Sequence, residues 1–467
     1  MGGDGRPNIL FIMSDDHAAH AIGCYGSRIN ETPNIDRIAR EGVRFDNCFC
    51  TNSICTPSRA TILTGKHSHL NGVFTLSSDF NRDQMHVGKL LQEAGYETAV
   101  IGKWHLHTQP SGFDYYNVLP GQGSYHDPRI KERGKTWEDH NMGGEVYEGY
   151  VTDVITNLSL DWIENRDESR PFFLCLHHKA PHRHWLPDEE HSEMYEDVEI
   201  PRPPTFDDDY SNRSSAASAA KMRMDDLNKA DYKVDPPENL DADELRNWKY
   251  QRFIKDYLRC IASIDDNVGR TLDYLNETDL LDETIVLYTS DQGFFLGDHG
   301  WFDKRFMYEE SLRMPFLVRY PTEIEAGSVN TDIALNLDFA QTFLDYAGGR
   351  VPGDMQGASL RPLFNAQTPA DWRDHMYYRY WMHLSHHHVY AHYGLRTSRY
   401  KLIYYYGEAL GADGAVDESK EPEWELFDLE GDPREMKSVY DDPEYGGTVE
   451  ELKGMLAGAK TEAGDTR

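Results

Sequence analysis

Four short apolar runs, each ending in polar or charged residues, constrain this chain more than any other feature. Asn8–Met13 leads into Ser14, Asp15 and Asp16, and Glu97–Gly102 leads into Lys103, Trp104 and His105. Pro171–Leu176 leads into His177, His178, Pro181 and His182, and Thr284–Ser290 leads into Asp291, Gln292 and Gly293. Near-continuous apolarity over so short a stretch suits a strand buried on both faces of a parallel sheet. Met314–Arg319 reads as a fifth strand. The segments between read as helices: Val87–Ala94, stopped by Gly95, and a long one on which Phe253, Tyr257, Ile261, Ile264, Val268, Leu272 and Leu275 form an apolar stripe. The pattern predicts an α/β sandwich: a large mixed, mostly parallel sheet flanked by helices. Ligands bind such sheets beyond the carboxyl ends of the strands, so the polar run ends are expected to converge.

Two stretches break this rhythm. Residues 187–247 are acidic and rich in turn formers, with Asp188-Glu189-Glu190, Pro203-Pro204 and Asp207-Asp208-Asp209. They read as a surface insertion, either a lid or a disordered loop. Beyond about Gly349, aromatic segments at Tyr377–Trp381, His388–Tyr393, Lys401–Tyr406 and Trp424–Leu429 predict a smaller antiparallel unit closed by a helix near Val449–Leu456. The expected organisation is a catalytic domain over 1–365 carrying the insertion, and an α+β subdomain over 366–467.

The formal net charge of -33 disfavours nucleic acid and anionic membrane surfaces as partners. An anionic substrate would need a local positive island inside this negative envelope. The six cysteines form no C-x-x-C pair and read as mostly reduced or buried thiols. The opening Met1–Arg6 lacks the apolar core of a signal peptide. As it stands the chain is expected to be cytoplasmic, or periplasmic or secreted if a leader has been removed.

Adjacent carboxylates such as Asp15 and Asp16 repel each other unless a cation lies between them. With Asp291 and the amide oxygen of Gln292 they make a set of hard donors suited to Ca²⁺ or Mg²⁺ rather than zinc. Helix capping is the alternative for Asp15 and Asp16 alone. Arg59, Lys103, His105, His182 and Lys304 supply the positive island. Lysine and arginine can hold the oxygens of a tetrahedral ester, and a histidine can give a proton to a leaving oxygen.

Cys55-Thr56-Pro57-Ser58-Arg59, followed by Ala60–Gly65, resembles the C-x-P-S-R signature of the type I sulfatases of the alkaline phosphatase-like superfamily. The resemblance runs in order through Pro7–Asp16, Gly102–His105, Pro181–His182, Thr289–Lys304, Asp338–Gly349, Gln356–Leu363 and Leu426–Pro433. It implies that a maturation enzyme converts Cys55 to formylglycine, whose hydrate is the nucleophile. It implies one divalent ion, most often Ca²⁺, on Asp15, Asp16, Asp291 and Gln292. Gln292 departs from the Asn or His common at its position and reaches one methylene further. The resemblance gives Arg59 the role of steadying the hydrate and Lys103, His182 and Lys304 that of clamping the sulfate. His105 supports the formylglycine, and His182 or Lys304 is the acid for the departing alcohol.

The expected substrate is a sulfated saccharide whose O-sulfate is removed. Candidate contacts lie in Gly121–His126, notably Tyr125, in the Gly297–Lys304 stretch at His299, and in His383–His388 at His388. The rival readings are a phosphonate monoester or phosphodiester hydrolase of the same superfamily and a non-catalytic sulfoglycan-binding protein.

Overall fold

The computed structural model describes residues 5–27 and 29–467; Met1–Asp4 of the opening stretch lie outside the described residues. The main sheet comprises β1 (Asn8–Ser14), β2 (Val43–Phe45), β3 (Glu97–Lys103), β4 (Tyr115–Leu119), β5 (Arg129–Glu132), β6 (Glu145–Val146), β7 (Phe172–His177), β8 (Thr284–Ser290), β9 (Phe316–Arg319) and β10 (Ser328–Asn330). Their spatial order is β10-β2-β9-β8-β1-β7-β3-β4-β5-β6. The four strands read from the apolar runs are neighbours: β1 pairs in parallel with β7 and β8, and β3 in parallel with β7. The fifth, β9, runs antiparallel to β8, which makes the sheet mixed.

Alternation explains why these strands carry no polar face. Leu10, Ile12, Ala99, Ile101, Leu174, Leu176, Val286 and Tyr288 point into one core, and their neighbours Ile9, Phe11, Val100, Phe173, Cys175, Ile285 and Leu287 into another. Five of the helices matter to this layering: α1 (Cys55–Thr64), α2 (Val87–Glu93), α3 (Val151–Glu164), α4 (Ala242–Glu277) and α5 (Phe339–Ala347). α3 and α4 cover the first core; α1, α2 and α5 cover the second. All seven residues of the expected apolar stripe on α4 are buried.

The acidic stretch is ordered. The expected limit at 247 falls inside α4, which starts at Ala242 because the Asp241 carboxylate accepts from the N–H groups of Asp243 and Glu244. Phe206, Tyr210, Ala216, Ala217, Met222, Met224 and Leu227 enter the first core. The disordered-loop alternative is thereby corrected: apolar residues without helical or strand spacing anchor the segment, and the acidic ones cover it.

The second sheet is an antiparallel meander of β11 (His375–Tyr380), β12 (His392–Thr397), β13 (Tyr400–Tyr405) and β14 (Glu423–Asp428). Leu395, Leu402 and Leu426 on one face pack against Val449, Leu452 and Leu456 of α6 (Gly446–Glu462). Tyr378, Tyr380, Ile403, Tyr405 and Phe427 on the other face join the first core. The strand expected from His388 starts only at His392; His386–His388 form a single 3₁₀ turn. The acidic segment straps the two units together, since Ser214 donates through its N–H (2.7 Å) and hydroxyl (2.9 Å) to Glu425. No helix among the described residues is long and apolar enough to cross a membrane.

Gly102, next to last in β3, has φ +102°, and a Cβ there would collide with the carbonyl oxygen of His177. Gly102→Ala is expected to destabilise the protein by at least about 2 kcal/mol and to shift Lys103. Thermal unfolding checks this, and an unchanged Tm would show that the backbones are not held so close.

Candidate active site

Cys55 opens α1, an entirely buried helix whose amino end favours negative charge beside it. Donor atoms of Asp15, Cys55 and His182 lie within 4.8 Å of one another. The Gln292 amide approaches the thiol at 3.9 Å. Burial, opposed by Lys304 and reinforced by Asp291 and Asp16, pushes the Cys55 thiol up to about 12. An unmodified thiol here is protonated at neutral pH and is a poor nucleophile.

The strand ends converge as expected. Carboxylate oxygens of Asp15 and Asp16, at the end of β1, and of Asp291, at the end of β8, also lie within 4.8 Å of one another and are fully buried. Burial and Asp291, against the pull of Lys304, raise the Asp16 pKa to about 6. Basic groups answer the carboxylates. Arg59 Nε donates to Asp291 Oδ2 (3.0 Å), and its Nη1 donates to the Lys103 carbonyl (2.8 Å). Lys103 Nζ contacts Asp15 Oδ2, and Lys304 Nζ bridges both Asp16 oxygens at 2.5 and 2.6 Å. Burial pulls Lys103 well below its ordinary pKa. Burial acts the same way on Lys304, yet Asp16, Cys55 and Asp303 more than offset it and hold that lysine above its ordinary value.

Two acceptors in this cluster find no donor: Asp15 Oδ1 and Gln292 Oε1 are buried without a hydrogen-bond partner. Buried oxygens left so are costly unless a cation takes them. With Asp16 and Asp291 they form an all-oxygen donor set of the kind that hard divalent ions take. The residues therefore fit a divalent metal ion, and helix capping does not describe Asp15 or Asp16.

The other residues divide. His182 Nε2 lies 3.8 Å from Asp16 Oδ2, and its Nδ1 is 2.6 Å from the Arg183 carbonyl. That contact places the ring proton on Nδ1 and leaves Nε2 a lone pair in the neutral ring. Burial, then Lys103, Lys304 and Lys179, push its pKa well below the usual range. His105 is buried, with Nδ1 3.5 Å from the Thr56 hydroxyl, and burial followed by Lys103 and Arg59 lowers it likewise. Tyr125 lines the cavity beside His182 and donates from its hydroxyl to the His182 carbonyl at 2.5 Å.

His299 does not join the cluster. It is fully buried with Nδ1 2.9 Å from Asp208 Oδ2, packed on Trp301 and Tyr308, so as a substrate contact it is corrected. A left-handed backbone at φ 55° turns it inward. His388 lies beside Lys221 and Lys420, while His387 reaches Asp303 Oδ2 at 3.2 Å. Gln122, within the candidate stretch Gly121–His126, accepts from Lys103 Nζ at 2.6 Å, whereas Lys179 was not singled out for the site from sequence. Lys179 follows β7 by the same strand-end rule that located His182.

The sequence and the fold have counterparts. The family model described as Sulfatase matches residues 7–349, and one described as N-sulphoglucosamine sulphohydrolase, C-terminal, matches 297–462. The chain is 44% identical, over 97% of its length and 86% of the relative's, to an N-acetylglucosamine-6-O-sulfatase of Bacteroides thetaiotaomicron. A solved structure of a protein in complex with its substrate D-glucosamine-2-N,6-O-disulfate is 44% identical with a TM-score of 0.91, covering 99% of each chain. A phosphonate monoester hydrolase from Silicibacter pomeroyi shares the fold (TM-score 0.76) at 20% identity, covering 98% of this chain and 96% of that one. The chain belongs to the sulfatase family. It is a sulfuric ester hydrolase with an alkaline phosphatase-like fold, and membership implies a formylglycine nucleophile and a divalent metal ion.

Because Asp16 takes up a proton near pH 6 in the metal-free protein, protons and metal compete there. Divalent-ion affinity is expected to fall about tenfold per pH unit below pH 6 and to level off above it. Calorimetric titration of the apo protein with Ca²⁺ at stepped pH checks this; a flat profile down to pH 4.5 would show that no ligand takes up a proton in that range.

Proposed function

We propose that this sulfatase removes the 6-O-sulfate from a glucosamine unit of a sulfated saccharide. Cys55, matured by a formylglycine-generating enzyme, carries the nucleophile, and one Ca²⁺, replaceable by Mg²⁺, is held by Asp15, Asp16, Asp291 and Gln292. The bound ion would supply positive charge against the sulfate oxygens. Everything else falls to the chain's own side chains. Arg59, tied to Asp291 and the Lys103 carbonyl, orients the first turn of α1 and steadies the hydroxyls at position 55. The ammonium groups of Lys103 and Lys304 face the same centre and oppose the negative charge of the ester. His105, whose Nδ1 lies 3.5 Å from the Thr56 hydroxyl, has the role of taking the proton that must leave position 55. His182 presents Nε2 toward Asp16 and Cys55, and an anion there offsets the lysines that depress it, so that it can protonate the leaving oxygen.

The observation that carries the substrate reading is the 44% identity, maintained across 99% of both chains, to a protein solved with a 2-N,6-O-disulfated glucosamine. The cavity walls that would face such a sugar are contributed by Gln122–Tyr125 and by Lys179, His182, Arg183, His184 and Leu186.

The test is sulfate release from N-acetylglucosamine sulfated singly at O3, O4 or O6, with an aryl phosphonate monoester alongside. The 6-O-sulfate is expected to be turned over at least about a hundredfold faster than the others. Preference for another position sinks the substrate assignment, and preference for the phosphonate sinks the sulfate chemistry. Cys55→Ala is expected to remove at least about 10³-fold of kcat, and the intact mass of the active protein is expected about 18 Da below the cysteine form.

A further inference from the structure

The cations around Cys55 are of two kinds. Arg59, Lys103 and Lys304 each contact a carboxylate of the Asp15, Asp16 and Asp291 set. Lys179 does not. It is only 3% exposed, yet among the described residues no carboxylate pairs with its Nζ, which lies over the Tyr125 ring at 4.6 Å. It shares a cavity wall with His182, which lies within reach of Asp16. Burial pulls the pKa of Lys179 to about 8.

Lys179 helps line a cavity of about 420 Å³ together with Gln122, Tyr125 and His182. That volume suits a substituted sugar ring. The other basic groups on this wall are already committed. Arg183 donates twice to Asp231 (2.5 and 2.6 Å), and His184 lies 2.9 Å from the same carboxylate. An aromatic face offsets only part of what burying an ammonium costs, and an anion in the cavity would offset the rest.

We infer that Lys179 is a specificity residue: its ammonium binds a second anionic substituent on the sugar that carries the scissile sulfate. This rests on the glucosamine reading given above. Tyr125 serves the arrangement twice, supporting the lysine on its ring and fixing the His182 backbone through its hydroxyl. The second anion thus docks beside the residue that meets the leaving oxygen.

Binding is measured by calorimetry in a Cys55→Ala background, which cannot turn substrate over. The ligands are 6-O-sulfated N-acetylglucosamine and D-glucosamine 2-N,6-O-disulfate. With Lys179 present the disulfate is expected to bind about tenfold more tightly, and Lys179→Met is expected to erase that preference while leaving the monosulfate within about twofold. Lys179→Arg is expected to keep most of it. Equal affinities in the Lys179 protein, or a preference that survives Lys179→Met, overturn the inference. So does a Lys179→Met protein that loses both sugars and melts earlier, since Lys179 is then a structural prop. If the Lys179 protein binds neither sugar, the glucosamine reading itself fails and takes this inference with it.

Discussion

Three buried carboxylates held within 4.8 Å of one another are the constraint on which the rest of this structure depends. Left to themselves, Asp15, Asp16 and Asp291 would repel strongly in so dry a place. The chain answers with cations drawn from separate elements: Arg59 from α1, Lys103 from the end of β3 and Lys304 from the loop after β8. The nucleophile helix is fixed to the strand ends as well. Arg59 ties the nucleophile helix to β3 through the Lys103 carbonyl, and Ser58 hydrogen-bonds the Asp291 carbonyl. Fold and site are therefore one problem. The parallel order of β3, β7, β1 and β8 brings the groups together, and the charge balance holds the strand ends in place.

The same balance explains how a chain with a net charge of -33 can act on an anion. The acidic residues are spread over the surface, where water screens them within about a Debye length. The basic groups at the centre are buried, where screening is weak and each charge counts for more. Burial also moves their protonation. His182 and His105 lose affinity for protons, while Lys304, bridged to both Asp16 oxygens, keeps its charge. The site thus sets three cations against its three carboxylates, with its histidines held neutral.

Much of this was legible in the sequence. A strand buried on both faces cannot hide a polar residue, so Leu10–Met13 or Val286–Tyr288 could hardly be anything else, and the strand-end rule then put Asp16, Lys103, His182 and Asp291 in one place. The failures share a physical cause. His299 lies five residues before Lys304, but a left-handed turn sends its ring into the core toward Asp208. The strand expected at His388 yields to a 3₁₀ turn for the same reason, with His387 and His388 both at positive φ. The acidic segment looked unstructured because its buried residues, Phe206 through Leu227, follow no period, although they are as dry as any in the core. Periodicity reports regular elements; it does not report a strap whose apolar residues are placed one at a time.

Lys179 shows a second limit. In sequence it is one basic residue among several after β7, and nothing separates it from Arg183. The difference lies in partners: Arg183 is saturated by Asp231, while Lys179 meets only an aromatic face. A residue's role at a site such as this depends on which charges are already matched, and matching is a property of the folded chain. The distinction also bears on proton supply. Lys304 is held charged by Asp16 and gives up its proton reluctantly, whereas His182, with Nδ1 tied to a carbonyl, exchanges protons only at Nε2. Burial, reinforced by Lys103, Lys304 and Lys179, keeps this histidine neutral, and an anion beside Nε2 would offset the share of the lysines. Under the proposed function its protonation is coupled to substrate binding, and that coupling favours His182 over Lys304 as donor to a leaving oxygen.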